Sequence, residues 1–180
     1  MDGVTMRSEM AEQPAVLADL AARRGEIRDA VRRALPDDLA GIVLIGRGSS
    51  DNAAIFARYA FEVARGRPVA LAAPSLHTLY GARSDYRGYL AIAVSQSGRT
   101  PEIVSVLEAA ARAGAVTVAI TNDTASPLAG AASAVVDLRA GEERAVPATK
   151  TFTAQLAAFA VIAEALGATP WTDADWERLP

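Results

Sequence analysis

Short apolar runs alternate along the chain with longer stretches in which apolar residues recur at helical spacing. Five runs have the length and composition of buried strands, over residues 42–45, 69–72, 90–94, 116–120 and 134–138. The stretches between them predict helices, the longest over about 149–166. Continuous apolar strands joined by helices are typical of a parallel sheet covered on both faces. We therefore predict an α/β fold, a three-layer αβα sandwich around a five-stranded parallel sheet.

The two ends of the chain differ from this alternation. Residues 6–35 predict two helical stretches before the first strand, and a polar stretch with two tryptophans follows the last helix. We divide the chain into an N-terminal helical segment over 1–36, the sandwich domain over 37–168, and a tail or the beginning of a linker over 169–180. In the helix expected over 52–64, the larger apolar side chains are expected to face the core: Ile55, Phe56, Tyr59 and Val63.

The amino-acid composition limits the kinds of partner and cofactor that the chain is expected to bind. The 180 residues are 51% hydrophobic and 22% charged, which suits a packed core, and the net charge of −3 argues against a nucleic-acid or anionic-membrane surface as the main partner. The chain has no cysteine and one histidine, so no metal or other cofactor is expected. It shows no signal-peptide pattern and no apolar run near the ~18 residues that span a bilayer, so we expect a cytoplasmic protein.

Polar loops follow the first, third and fifth strands, at the edge where open α/β sheets bind ligands. After the third strand the chain reads Ser95-Gln96-Ser97-Gly98-Arg99-Thr100-Pro101-Glu102. Thr100 suits a helix N-cap and Pro101 the first helical position. Hydroxyl and amide donors at the positive end of a helix suit a bound anion such as phosphate, although a strand–helix turn with a good cap would look alike. The stretch lacks the Gly-Lys-Ser/Thr of a P-loop and the Gly-x-Ser-x-Gly of a serine nucleophile.

The loop after the first strand carries the glycines of a tight turn. A dinucleotide site is rejected because Asp51 stands where the third glycine should be, and because no acidic residue ends the second strand. What remains is a turn at Gly48 that presents Ser49 and Ser50 to a polar ligand. Alternatively, Ser50 serves only to cap the following helix.

The loop after the fifth strand carries charges near the start of the last long helix. Lys150 in the first helical turn opposes the helix dipole, which indicates either a functional role or an exposed lysine of small cost. Glu142 and Glu143 are candidate acid–base groups if this loop folds over a ligand, and unremarkable surface residues otherwise.

Together the loops resemble one family, the SIS (sugar isomerase) domains. More narrowly, they resemble the first of the two SIS domains in the isomerase part of glutamine–fructose-6-phosphate aminotransferases and related amino-sugar-phosphate isomerases and deaminases. The resemblance spans residues 6–167 and rests on five blocks: Met10–Pro14, Gly48–Asn52, Arg58–Glu62, Ser95–Thr100 and Val146–Thr153. It implies a flavodoxin-like sheet, a homodimer or pairing with a second SIS domain, and a sugar phosphate of the fructose 6-phosphate or glucosamine 6-phosphate class as ligand.

The resemblance also implies roles for individual residues. The phosphate would be held by Ser95, Gln96, Ser97 and Thr100. Ser50 would contact the sugar chain, and Val146 would contribute through its backbone. The chain departs from the family pattern at two of these positions. Arg99 replaces a glutamate common in the aminotransferases, and Ala148 replaces a serine that helps to hold the sugar, so that sugar contact is not expected here.

Three functions stay open on the sequence. The first is aldose–ketose isomerisation or hexosamine 6-phosphate deamination, by proton abstraction next to a carbonyl, as half of a two-domain enzyme. The second is a non-catalytic module that senses sugar phosphates, and the third is a dimerisation domain that binds nothing. The resemblance places the principal acid–base residues in a second domain, and glutamine-driven amide transfer is not expected of a chain without cysteine.

Overall fold

The computed structural model describes residues 3–180, so Met1 and Asp2 of the predicted segment 1–36 lie outside the described residues. The helices are α1 Gly3–Ala11, α2 Gln13–Ala22, α3 Arg24–Ala34, α4 Ser49–Arg65, α5 Ser75–Thr78, α6 Pro101–Arg112, α7 Pro127–Gly130, α8 Lys150–Leu166 and α9 Asp173–Glu177. The strands are β1 Gly41–Ile45, β2 Val69–Leu71, β3 Tyr89–Val94, β4 Val116–Thr121 and β5 Ala134–Asp137.

All five strands are parallel and lie in the order β2-β1-β3-β4-β5, which confirms the predicted sheet. The chain moves outward from β1 to β2, and then returns to place β3 on the other side of β1. The order therefore reverses between β1 and β3, whose residues Leu44 and Ile92 are paired in register. In open α/β sheets a crevice for ligands lies at this reversal, beyond the carboxyl ends of the strands.

Side chains alternate between the two faces of the sheet and bury two separate cores. Ile42, Leu44 and Ile92 pack with the face covered by α2, α3, α4 and α8. Val43, Ile45 and Ala93 pack with the face covered by α6 and α7. The predicted three-layer sandwich is thus confirmed, with the five-stranded sheet between two helical layers.

The prediction for the inner face of α4 is wrong. Ile55, Phe56, Tyr59 and Val63 are exposed, at 44%, 39%, 72% and 71%. The buried face consists instead of small residues and one phenylalanine: Ser50, Ala53, Ala54, Ala57 and Phe61. The reason is the close packing of α4 on α8, because alanines allow the two helices to approach each other. The approach is so close that a Cβ added to Gly167, at the end of α8, would lie 2.0 Å from the carbonyl oxygen of Ala64 in α4.

The N-terminal segment forms three helices where two were predicted, and α2 and α3 contribute Leu20 and Val31 to the core. At the other end, the chain folds back onto α8. The indole N–H groups of Trp171 and Trp176 donate to Glu164 Oε1 at 3.0 and 2.6 Å. Whether 169–180 begins a linker to another domain stays a prediction. Within residues 3–180, no helix is both long enough and apolar enough to cross a membrane.

Candidate functional site

The loops after β1 and β3 lie on either side of the strand-order reversal. Each leads into a helix, α4 or α6, whose N-terminus begins at the carboxyl edge of the sheet. An ion pair joins the two loops, with Arg47 Nε 3.1 Å from Glu102 Oε2 in the first turn of α6. The sheet order therefore brings together two of the three predicted polar loops, and the positive ends of two helix dipoles lie at this edge.

The β3–α6 loop, Ser95–Thr100, is a tight turn that fits against β4 and α7. Gly98 has a φ of +60°, and a Cβ at this position would lie 2.1 Å from Ser126 Oγ and 2.8 Å from Thr121 Oγ1. The Gly98 N–H donates to the Ser95 carbonyl at 3.2 Å, and the Leu128 N–H donates to the Gly98 carbonyl at 3.1 Å. Only glycine fits this position, since both the backbone conformation and the space exclude a side chain.

The first turn of α6 has no side-chain cap among the described residues. Thr100 occupies the N-cap position and Pro101 the first turn, as predicted, but the Thr100 side chain makes no capping hydrogen bond. Ser95 is buried, Gln96 and Thr100 are half-buried, and Ser97 is exposed. The Ser97 hydroxyl accepts the Arg99 N–H at 3.3 Å, while the Arg99 side chain turns to Asp123 Oδ2 at 2.8 Å. Hydroxyls and backbone N–H groups thus line a helix N-terminus that no side chain caps.

The β1–α4 loop presents a second uncapped helix N-terminus. Gly48 is the N-cap residue, with a φ of 61°, and it has no side chain to cap the helix. Ser49 and Ser50 form the first turn, with Ser49 half-buried and Ser50 buried. A Cβ on Gly46 would lie 3.1 Å from the Asp51 backbone nitrogen, so glycine lets the strand end pass close to the helix. The predicted residues Gly48, Ser49 and Ser50 therefore lie at the reversal, opposite the β3–α6 loop.

The β5–α8 loop, residues 138–149, differs because a side chain of its own fills the helix N-terminus. Glu143 accepts the backbone N–H groups of Thr149, Lys150 and Thr151 at 2.8, 2.7 and 3.1 Å, and also the Thr151 hydroxyl. Burial raises the pKa of the Glu143 carboxyl, but these hydrogen bonds outweigh burial and hold the pKa below its ordinary value. A carboxylate in this setting is a weak base.

The remaining predicted residues of this loop are also engaged with the protein. Glu142 is exposed and forms a two-bond pair with Arg144, both at 2.8 Å, which lowers the pKa of its carboxyl. Lys150 is buried, and its Nζ donates to Glu12 Oε2 at 2.6 Å and to the Glu142 carbonyl at 2.9 Å. Val146 is 68% exposed on the loop surface. Their proposed contacts with a ligand stay predictions.

Two residues that the sequence did not single out connect these loops. Asn122, directly after β4, donates its N–H to the Gln96 carbonyl at 3.1 Å and its side chain to the Gly141 carbonyl at 2.6 Å. Glu9 of α1 accepts N–H groups of the β5–α8 loop. Nothing in the local sequence distinguishes Asn122 from any other turn asparagine, and Glu9 lies outside the polar loops. Within residues 3–180, no cluster of three or more His, Cys, Asp or Glu side chains could hold a metal ion.

An open parallel sheet with two uncapped helix N-termini at its strand-order reversal defines a ligand-binding domain of the doubly wound α/β class. The model of the SIS domain matches residues 40–165. The chain belongs to the SIS domain family, and the predicted resemblance is confirmed.

Among curated proteins, the chain is similar to glutamine–fructose-6-phosphate aminotransferases. It is 37% identical over 163 residues to the glutamine–fructose-6-phosphate aminotransferase of Gloeobacter violaceus, covering 88% of this chain and 27% of that protein. It is 34% identical over 130 residues to the aminotransferase of Halobacterium salinarum, covering 72% and 22%. The chain thus spans about a quarter of the length of these relatives, so the activity of the whole enzymes does not transfer directly.

Solved structures agree. A protein of Silicibacter pomeroyi DSS-3 assigned as a phosphosugar isomerase matches with a TM-score of 0.81 and 37% identity, over 90% of this chain and 50% of that one. The C-terminal domain of glucosamine–fructose-6-phosphate aminotransferase from Francisella tularensis matches with a TM-score of 0.80 and 24% identity, over 97% and 52%. The second match speaks for the fold alone, and both solved chains are about twice as long as the matched region.

Proposed function

We propose that this SIS domain binds a phosphorylated sugar or amino sugar, with the phosphate at the N-terminus of α6. In this proposal the β3–α6 loop holds the phosphate through Ser95, Gln96, Ser97 and Thr100. Ser50 and the β5–α8 loop contact the sugar. Bound in this way, the sugar phosphate would undergo aldose–ketose isomerisation or deamination, with a second SIS domain completing the site.

The observation that carries the proposal is the uncapped first turn of α6. The Thr100 side chain makes no capping hydrogen bond, and the exposed Ser97 hydroxyl lies three residues earlier. An anion at this point would accept hydrogen bonds from groups that otherwise face water, and the helix dipole would favour its charge. The relatives' names, aminotransferases acting on fructose 6-phosphate and a phosphosugar isomerase, support a sugar phosphate as that anion.

Titration calorimetry tests the phosphate site, with inorganic phosphate and glucosamine 6-phosphate as probes. Ser97→Ala and Thr100→Ala should each weaken both ligands by about tenfold, because each removes one hydrogen bond to a charged group. Ser105→Ala, an exposed serine further along the same helix, is the matched control and should bind like the wild type. Identical heats for all four proteins would refute the proposal.

A second candidate function is the sensing of a sugar phosphate without catalysis. It is supported by the contacts of the two candidate bases, Glu142 and Glu143. Glu143 is held by four donors at the start of α8, and Glu142 is paired with Arg144, so neither carboxylate is poised to remove a proton from a ligand. We therefore expect little turnover by this chain alone. Conversion of fructose 6-phosphate or glucosamine 6-phosphate at an ordinary enzyme rate would contradict this expectation and would reinstate Glu142 or Glu143 as candidates.

We further propose that the exposed face of α4 pairs two copies of the chain. The face consists of Ile55, Phe56, Tyr59 and Val63, too many large apolar side chains for a helix in water. An antiparallel pair of α4 helices centred on Tyr59 would place Ile55 against the partner's Val63. It would also bring Asp51, at one end of the helix, close to the partner's Arg65, at the other. This surface is complementary to itself, as a twofold interface requires.

Light scattering with size-exclusion chromatography tests the pairing. The wild type should be a dimer, and Tyr59→Glu should be a monomer because it buries a charge at the centre of the interface. Tyr80→Glu is the matched control, since Tyr80 is equally exposed, at 77%, but lies outside α4. A wild type that stays monomeric at high concentration, or a dimer that Tyr59→Glu leaves intact, would show that this face is not the interface.

A further inference from the structure

Helix α1 is attached to the protein in an unusual way. Its one buried residue among those described is a carboxylate, Glu9, while the apolar side chains of Val4 and Met10 are 71% and 49% exposed. Apolar burial therefore contributes little to the docking of this helix. What holds α1 in place is a set of polar contacts with the β5–α8 loop.

Both carboxylate oxygens of Glu9 accept hydrogen bonds from the backbone of that loop. Oε1 accepts the Arg144 N–H at 2.7 Å, and Oε2 accepts the Ala145 N–H at 3.0 Å. The two N–H groups belong to consecutive residues immediately before Val146. A buried carboxylate with two charge-assisted hydrogen bonds is held in a single geometry, and it holds its partners in turn.

A second contact ties the far end of the same loop to α1. The side chain of Lys150 is fully buried, and its Nζ lies 2.6 Å from Glu12 Oε2, in the residue that joins α1 to α2. The same Nζ also binds the Glu142 carbonyl. Only the lysine is buried, since the Glu12 side chain is 53% exposed, and without Glu12 the buried ammonium would lose its charged partner. Residues 142–150 are therefore fastened to the N-terminal helices at two points.

We propose that Glu9 is a positioning residue: it sets the place of the β5–α8 loop, and so of Val146, against a bound sugar. This inference rests on the proposed function, in which the loop contacts the sugar while the β3–α6 loop holds the phosphate. It predicts that a change at Glu9 lowers the affinity for a sugar phosphate but not the affinity for inorganic phosphate. General destabilisation would not produce this difference. Loosening the β5–α8 loop weakens the sugar contacts and leaves the phosphate contacts of Ser97 and Thr100 untouched.

Calorimetry on the full chain tests this difference with two probes, inorganic phosphate and glucosamine 6-phosphate. Glu9→Gln keeps the shape of the side chain but faces one backbone N–H with an NH₂ group, and Glu9→Ala removes both acceptors. Affinity for glucosamine 6-phosphate should fall about tenfold in Glu9→Gln and further in Glu9→Ala, because each step removes a contact that orders the β5–α8 loop, and the loop must then be ordered when the sugar binds. Affinity for inorganic phosphate should stay within about twofold of the wild type.

The matched control is Glu26→Gln, which neutralises an exposed glutamate on α3 and should change neither affinity. Equal losses for both probes, or none for glucosamine 6-phosphate, would overturn the positioning role. A wild type that binds neither probe would instead overturn the proposed function. Hydrogen exchange of the Arg144 and Ala145 amides, which should be faster in Glu9→Gln, checks the loop directly in case Glu9→Ala fails to fold. Unchanged exchange at both amides would also refute the proposal.

Discussion

Helices α6 and α8 both begin at the carboxyl edge of the sheet, but they differ in whether a side chain caps the first turn. At α8, Glu143 accepts three backbone N–H groups and one hydroxyl, so the helix N-terminus is filled by a side chain of the chain itself. At α6, the N-cap residue Thr100 makes no such bond. One helix N-terminus is capped by a side chain of the chain itself, and the other has no such cap among the described residues and is the site at which we propose that a phosphate binds.

This difference separates a carboxylate that caps a helix from a helix N-terminus that we propose to bind a phosphate. Glu143 satisfies donors that would otherwise have to find water, which stabilises α8 and fixes the loop in front of it. The corresponding N–H groups at the start of α6 have no side-chain acceptor, so they can donate to an anion. The missing cap costs some stability in the protein without a ligand. A mutation that damages the filled turn should therefore lower stability, and one that damages the open turn should lower affinity.

The largest expected effect tests whether the open turn depends on its glycine. Gly98→Ala would place a Cβ 2.1 Å from Ser126 Oγ at a φ of +60°, so it should cost roughly 3 kcal/mol or more of unfolding free energy and should abolish phosphate binding. Urea denaturation and calorimetry measure the two effects.

Gly66→Ala is the matched control for Gly98→Ala. Gly66 has nearly the same φ, +64°, but no atom lies within 4 Å of an added Cβ. It should lose only the cost of the backbone conformation, about 1 kcal/mol, and should bind phosphate normally. Equal losses in the two variants would mean that the crowded packing behind the β3–α6 loop does not matter.

A smaller effect is expected from emptying the filled turn. Glu143→Ala should lower the free energy of unfolding by about 2 kcal/mol, the range of a lost helix cap, and should leave the affinity for inorganic phosphate unchanged. Urea denaturation measures the stability at neutral pH. A variant as stable as the wild type would show that water replaces the carboxylate without loss, and that the contrast with α6 is of no energetic consequence.

The pH dependence of the same pair of proteins sharpens the test. Because the pKa of Glu143 is lowered in the folded state, its stabilisation is present above the ordinary carboxyl pKa of the unfolded chain and is lost as the pH falls through the lowered folded value. The stability gap between wild type and Glu143→Ala should therefore close in acid, below about pH 4. A gap that widens on acidification would contradict the lowered pKa.

The sequence was sufficient for the sheet and for the open turn, and insufficient for the filled one. Apolar strand runs and the Ser-Gln-Ser-Gly-x-Thr-Pro stretch are local patterns, so they predicted β3, α6 and the donors between them. Glu143 looked like a free acid–base candidate because its partners depend on how a loop folds back on a helix six residues later. Glu9 and Lys150 depend on contacts over more than 130 residues of chain, which periodicity does not reveal.

The error on α4 has a similar origin. Ile55, Phe56, Tyr59 and Val63 form a helical stripe, and a stripe predicts a buried face without saying what buries it. The opposite face of α4 is lined with alanines that suit the close approach of α8, and this tertiary fit decided the orientation. An amphipathic pattern with large residues on one side and small ones on the other therefore has two solutions, and one of them leaves an apolar surface for a partner.

The smallest expected effect compares the two N-cap threonines directly. Thr149 precedes α8 as Thr100 precedes α6, but its Oγ1 is buried without a hydrogen-bond partner among the described residues, because Glu143 already does the capping. Thr149→Val should therefore change the unfolding free energy by less than about 1 kcal/mol and leave phosphate affinity unchanged. Thr100→Val should weaken phosphate binding at nearly unchanged stability. If Thr149→Val instead weakened phosphate binding as much as Thr100→Val, the hydroxyl at the filled turn would belong to the ligand site, and the distinction between the two helices would fail.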